Sequence, residues 1–245
     1  MNVDAPFSFA DALACAEASK AAYPPCVPDF ATDLAHAVVR PSDCGAVLAF
    51  RGTADREDER TDVQAWKFPV GDAGCVHYGF WEAWLSVRKL VWEWPAWDKS
   101  SSVMVAGHSL GGAIAQLCAW DMARGGRAAG QVRVYTFGSP RVGDAAWRDD
   151  YDSLLGGATW HVVNMVDVVP RVPGYLAGFR RTGRTVLLTE GGRAAVCPSL
   201  PTRLAVDAVA VAYDLRHLRL GLVADHHVDD YVGRLRKAAG RRNNA

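Results

Sequence analysis

Ser101-Ser102-Val103-Met104-Val105-Ala106-Gly107-His108-Ser109-Leu110-Gly111-Gly112-Ala113-Ile114-Ala115-Gln116-Leu117 is the stretch on which the fold turns. A short apolar, β-branched run enters a Gly-x-Ser-x-Gly core, and a small-residue helical pattern leaves it. Strand, sharp turn and helix in that order are the context that a nucleophile elbow requires. Gly107 and Gly111 leave room for a crowded turn that lets the Ser109 side chain stand clear at the end of a strand, so Ser109 reads as a nucleophile.

Length and composition frame this reading. The chain has 245 residues, half of them hydrophobic, enough for one large domain with a full core. Its 27 basic and 27 acidic side chains cancel, which gives no global field for nucleic acid or an anionic surface and favours a neutral small-molecule substrate. The basic cluster Arg234, Arg236, Lys237, Arg241 and Arg242 reads as a solvated helix end. Cys15, Cys26, Cys44, Cys75, Cys118 and Cys197 show no Cys-x-x-Cys spacing, which speaks against zinc and for free thiols. Met1 to Pro6 has neither a basic nor an apolar leader pattern, and no run reaches the length of a membrane span. A cytoplasmic protein without a stable membrane anchor is the expectation.

Outward from the elbow, helical and strand patterns alternate. Ser8 to Tyr23 reads as an amphipathic helix ended by Pro24-Pro25, and Gly45 to Phe50 as an apolar strand running into Arg51-Gly52-Thr53. A glycine followed by threonine offers a backbone N–H and a hydroxyl at one point, as an oxyanion-stabilising loop needs, so Thr53 is a candidate donor. Ala54 to Asp62 is a dense run of charge. Trp66 and Phe68 follow, either lining an acyl site or packing in the core. Phe80 to Trp94 has helical spacing and lies between two apolar strands as a crossover helix, which argues for a mostly parallel sheet with helices on both faces.

Beyond the elbow helix, which Gly125-Gly126 ends, Gln131 to Phe137 supplies another strand, and Thr159 to Val166 delivers Asp167 at its C-terminal end. Reactive groups of open α/β sheets gather beyond the carboxyl ends of the strands, where Thr53, Ser109 and Asp167 all fall. Arg184 to Thr189 reads as a strand and Arg203 to His217 as a helix, and Ala224 to Val232 begins a final amphipathic helix carrying His226 and His227. A histidine must take the serine proton and return it to the leaving group, oriented by the acid. Neighbouring histidines at a helix start point about 100° apart, so one of the two faces Ser109. His108, the variable residue of the elbow, reads as a packing or hydrogen-bonding neighbour. The order Ser109, Asp167, His226 is that of α/β-hydrolases.

Together these segments resemble the class 3 (fungal-type) lipases, a branch of the α/β-hydrolases, from about Phe50 to Tyr231. Phe50-Arg51-Gly52-Thr53 is similar to the family's oxyanion segment, Val76 to Phe80 to its segment before the crossover helix, and Gly107 to Ala113 to its elbow. Tyr135 to Asp144 is similar to the following strand and turn, Val163-Asn164 through Asp167 with Val169-Pro170 and Pro173 to its acid segment, and Asp225-His226 with Tyr231 to its histidine segment. The resemblance implies one α/β-hydrolase domain over residues 1–245 and a serine ester hydrolase (lipase or carboxylesterase) with the triad Ser109, Asp167 and His226. It also implies an oxyanion hole formed by Thr53 and the backbone N–H of Leu110. The same triad serves phospholipase A-type, feruloyl-type and acyltransferase chemistry, whereas non-catalytic relatives that bind apolar ligands commonly lack a triad member.

The implied partners are a small-molecule ester and, transiently, a lipid surface, with no metal or organic cofactor. The chain departs from the family after the oxyanion segment, where Glu59-Arg60-Thr61-Asp62 stands in place of an Asp-Trp or Asn-Trp pair. Residues 54–70 form the candidate lid segment, and the charge of its first half predicts weak interfacial activation at most.

Overall fold

The computed structural model describes residues 5–43, 45–52, 66–94, 102–127, 129–165, 167–199, 201–202, 205 and 226–242. Helix α1 (Phe9–Ala21) is capped by Ser8, whose hydroxyl accepts from the Asp11 backbone N–H. Strands β1 (Phe30–Ala31), β2 (His36–Ser42) and β3 (Gly45–Phe50) follow, then the hairpin of β4 (Lys67–Pro69) and β5 (Cys75–His77). Helix α2 (Tyr78–Trp92) leads to β6 (Val103–His108) and α3 (Leu110–Arg124), and these to β7 (Val132–Phe137), α4 (Ala145–Leu155) and β8 (Thr159–Asn164). Strands β9 (Arg184–Leu188) and β10 (Ala194–Val196) precede the final helix α5 (Val228–Arg242).

Among the described residues the main sheet has eight strands in the order β1-β2-β3-β6-β7-β8-β9-β10. Its five central strands, β3 to β9 in that order, run parallel, and each end is closed by antiparallel pairing. The sequence pattern anticipates the parallel centre and misses the antiparallel edge. In β2 the segment Arg40-Pro41 interrupts the apolar run, yet β1 pairs only with His36 and Ala37, so Pro41 lies beyond that partner and its missing N–H breaks no ladder bond.

Both faces of the central strands are buried, which explains their nearly unbroken hydrophobicity. Leu48, Phe50, Val103 and Val105 face a core shared with Trp84 and Val87 of α2, Ile114 and Leu117 of α3, and Trp147 and Tyr151 of α4. Their neighbours Val47, Ala49, Met104 and Ala106 face the opposite core, built with α1 and with Tyr231 and Leu235 of α5. This two-residue alternation assigns α1 and α5 to one face and α2, α3 and α4 to the other. Helix α2 begins at Tyr78, two residues ahead of the expected start, because β5 ends directly at its N-terminus.

Trp84 of α2 and Cys118 of α3 are core residues, and Cys15, Cys26, Cys75, Cys118 and Cys197 are free thiols. Trp66 and Phe68 are not core: they are 69% and 39% exposed at the β4 side of the hairpin. Residues 54–65 of the candidate lid and the expected helix over 203–217 lie outside the described residues, except Ala205.

A buried polar chain ties the elbow helix to the sheet. Thr182 donates to Gln116 Oε1 at 2.8 Å and so accepts from His161 Nε2 at 3.0 Å, which leaves His161 Nδ1 to accept from Thr136 on the paired strand at 2.7 Å. Gln116 in turn donates to Ser139 at 3.0 Å. Burial, with Arg181 nearby, pushes His161 down to about 3, so the folded protein holds it neutral. The unfolded chain binds this proton near pH ~6.5. Stability from His161 is therefore present above that pH and is lost as pH falls toward about 3. Denaturant unfolding between pH 7 and 3.5 is expected to show a slope that His161→Gln reduces by up to ~1.4 kcal/mol per pH unit. An unchanged slope in the variant excludes His161 as the source.

Candidate active site

Ser109 occupies the single residue between β6 and α3, at φ 57° and ψ −131°. A side chain with a Cβ pays for such a backbone, and two close approaches hold it there. A Cβ at Gly107 would lie 2.2 Å from the Gly111 carbonyl carbon, and one at Gly111 would lie 2.2 Å from the Phe50 carbonyl oxygen, so strand, turn and helix meet at distances only glycine permits. The Ser109 N–H donates to Phe137 O at 3.0 Å, and the Ser109 carbonyl accepts from the Gly112 N–H at 2.9 Å. Leu110 is the first residue of α3, where backbone N–H groups point out of the helix end and the dipole favours negative charge.

Asp167 lies three residues past the end of β8 and is buried. Its Oδ2 is 2.7 Å from His226 Nδ1, and its Oδ1 accepts from the Val169 N–H at 2.9 Å. The pair sits over Gly138, which directly follows β7 at φ 62°: a Cβ there would come within 2.7 Å of His226 Cε1 and 2.8 Å of Asp167 Oδ2. Phe137 thus bonds the serine backbone, and the next residue carries the acid and histidine. His226 is buried and His227 exposed, so His226 is the member of the pair that meets the acid. With Nδ1 donating to the carboxylate, the neutral ring has its lone pair on Nε2, the nitrogen able to take up a proton.

Further groups whose roles the sequence did not disclose hold this arrangement. Tyr231, one turn into α5, donates to Asp167 Oδ2 at 2.5 Å and accepts from the Asn164 N–H at 3.2 Å. Burial and the adjacent carboxylate push its phenol far above the usual range, so it stays protonated and donates. The buried Arg171 donates to the carbonyls of Asp167 and Met165, and Arg141 donates to those of Arg171 and Pro173. These guanidinium groups brace the irregular segment that follows β8. An arginine's multiple fixed donors suit carbonyl bracing, but nothing in local spacing marks which arginines are buried.

The described part of the oxyanion segment ends at Gly52, where a Cβ would lie 3.0 Å from Ser109 Cβ. Thr53 lies outside the described residues. His108 is a hydrogen-bonding neighbour, as its position suggested, with Nε2 2.6 Å from the His226 carbonyl oxygen.

The family model for lipase (class 3) matches residues 47–176, more than half of the chain. The chain belongs to the class 3 lipase family. In this family it is similar to the secreted mono- and diacylglycerol lipase A of Penicillium cyclopium, with 30% identity over 174 residues, 64% of this chain and 52% of that protein. It is also similar to the phospholipase A1-Igamma2, chloroplastic, of Arabidopsis thaliana, with 39% identity over 101 residues, 38% of this chain and 19% of that protein. Among solved structures it matches the native Rhizomucor miehei lipase propeptide complex with a TM-score of 0.59 and 24% identity over 80% of this chain and 74% of that one. The fold is accordingly that of an α/β-hydrolase. This class 3 lipase chain spans about half or less of the length of the curated relatives it matches.

The expected cytoplasmic location finds no support, since the Penicillium relative is named as secreted and the first residues of a chain do not report its compartment. Among the described residues no helix is long and apolar enough to cross a membrane.

Tyr231→Phe removes one donor from a buried carboxylate and is expected to cost about 1.5–3 kcal/mol of stability. The carboxylate then pulls harder on the imidazolium, so the acid limb of any hydrolytic pH profile moves to higher pH. Denaturant unfolding and kcat/KM against pH check both, and an unmoved limb contradicts the role given to the phenol.

Proposed function

We propose that this protein is a serine ester hydrolase that cleaves carboxylic esters of acylglycerol or similar type through an acyl-enzyme. The observation that carries the reading is the buried His226–Asp167 pair at 2.7 Å over Gly138, next to Phe137, whose carbonyl bonds a serine held on a strained turn. In this scheme His226 Nε2 takes the Ser109 proton as Oγ attacks the ester carbonyl. The oxyanion forms at the N-terminus of α3, with the Leu110 N–H and Thr53 as donors. His226 then returns the proton to the leaving alcohol, and water releases the acyl group by the same relay. Asp167 orients the ring through Nδ1 and stabilises the imidazolium. No step calls for a metal or an organic cofactor.

A phospholipase A-type activity is the second reading. It is favoured by relatives named as phospholipases A1, including the Arabidopsis protein and one from Oryza sativa. Contact with a lipid surface is transient in either reading, and the charged residues 54–62 give a lid of this sequence little apolar surface to expose.

Initial rates on p-nitrophenyl esters of rising acyl length, below and above the concentration at which each substrate aggregates, test the proposal. Hydrolysis that rises smoothly through the aggregation point is expected. Absence of hydrolysis across the series rejects the enzyme reading, and a jump at that point rejects the reading of the charged lid.

A further inference from the structure

His108 is a buried titratable group that has no task in the scheme above. His108 lies between Gly107 and Ser109, and its ring packs on that of His226 with centroids 4.6 Å apart. Its Nε2 is 2.6 Å from the His226 carbonyl oxygen and its Nδ1 is 2.8 Å from the Tyr23 hydroxyl. A carbonyl only accepts, so Nε2 carries the hydrogen. In the neutral ring Nδ1 then accepts from the Tyr23 O–H, an assignment that follows from the partners. Burial and the neighbouring His226 imidazole hold His108 well below the usual histidine range, which keeps it in that neutral form.

The other end of this bridge reaches the oxyanion segment. A Cβ at Gly52 would lie 2.6 Å from the Tyr23 oxygen, 2.8 Å from the His108 carbonyl oxygen and 3.0 Å from Ser109 Cβ. The Tyr23 hydroxyl is therefore pressed against the backbone that immediately precedes Thr53. His226, for its part, precedes α5, which begins at Val228, so helical hydrogen bonds do not fix its carbonyl. A base displaced by about 1 Å loses on the order of 100-fold in rate.

We propose that Tyr23 and His108 form a positioning unit, a hydrogen-bonded bridge that sets the distance between the backbone of the base His226 and the oxyanion segment at Gly52. The inference rests on the triad reading given above. His108 packs on the ring of the base, but neither residue exchanges a proton with the serine or the substrate; both act by positioning groups that do.

A double-mutant cycle tests it, read as kcat and KM on p-nitrophenyl butyrate with the thermal midpoint measured alongside. His108→Leu breaks both bonds and is expected to lower kcat about 100-fold with KM within about twofold. Tyr23→Phe breaks one bond and is expected to lower kcat about tenfold. His108→Gln keeps a donor near the His226 carbonyl but not the acceptor for Tyr23, and so should match Tyr23→Phe. Adding Tyr23→Phe to either His108 variant should then change kcat little, because the bond it removes is already gone.

Losses that multiply in the double variants overturn the bridge. So do losses that appear only in KM or in the thermal midpoint while kcat stays at the wild-type value. If His108→Leu does not fold, the cycle of Tyr23→Phe with His108→Gln carries the same test. Ser109→Ala separates the two failures: if it keeps near wild-type activity the triad reading has failed, whereas its inactivity together with an additive cycle rejects the bridge alone.

Discussion

A serine held at φ 57° and ψ −131° is the constraint from which the rest of this structure follows. Residues held in such sparsely populated conformations cost about 1–3 kcal/mol, and they persist only where their surroundings over-determine them. Here that means a six-residue strand buried along its whole length, a helix buried on most of its faces, and glycine at each point where the two backbones touch. The conformation turns the Ser109 side chain out at the carboxyl edge of the sheet while its backbone stays bonded to Phe137 and Gly112.

The acid and the histidine are supported in a different way. Both sit on connecting segments outside the regular elements. Side chains do the work instead: Tyr231 and the Val169 N–H on the Asp167 carboxylate, Arg171 on the carbonyls around it, and His108 on the His226 carbonyl. Gly138, lacking a side chain, lets the pair lie directly over the end of β7. A rigid elbow thus meets a histidine whose placement depends on several buried polar bonds.

What could be read from sequence divides along the same line. The central strands are legible because burial on both faces makes them continuous apolar runs, and the elbow is legible because its glycines answer a local steric demand. Asp167 is legible from its place beyond β8. The antiparallel edge is not, since β2 carries Arg40 and Pro41 and is shaped by its register with β3 rather than by its own pattern. Tyr23 and Arg171 give no local signal either, because their partners lie in distant or irregular segments. The aromatic residues at the start of the hairpin mislead in the opposite sense: Trp66 and Phe68 have core-like chemistry but are exposed.

Whether Ser109 is a nucleophile activated by a buried histidine and acid is tested most directly by covalent labelling with a serine-directed phosphonate, followed by mass spectrometry of the digested protein. One phosphonyl group per chain is expected on the peptide that contains Ser109, together with loss of esterase activity in proportion to labelling. Unlabelled Ser109, or activity that survives its complete modification, contradicts this role.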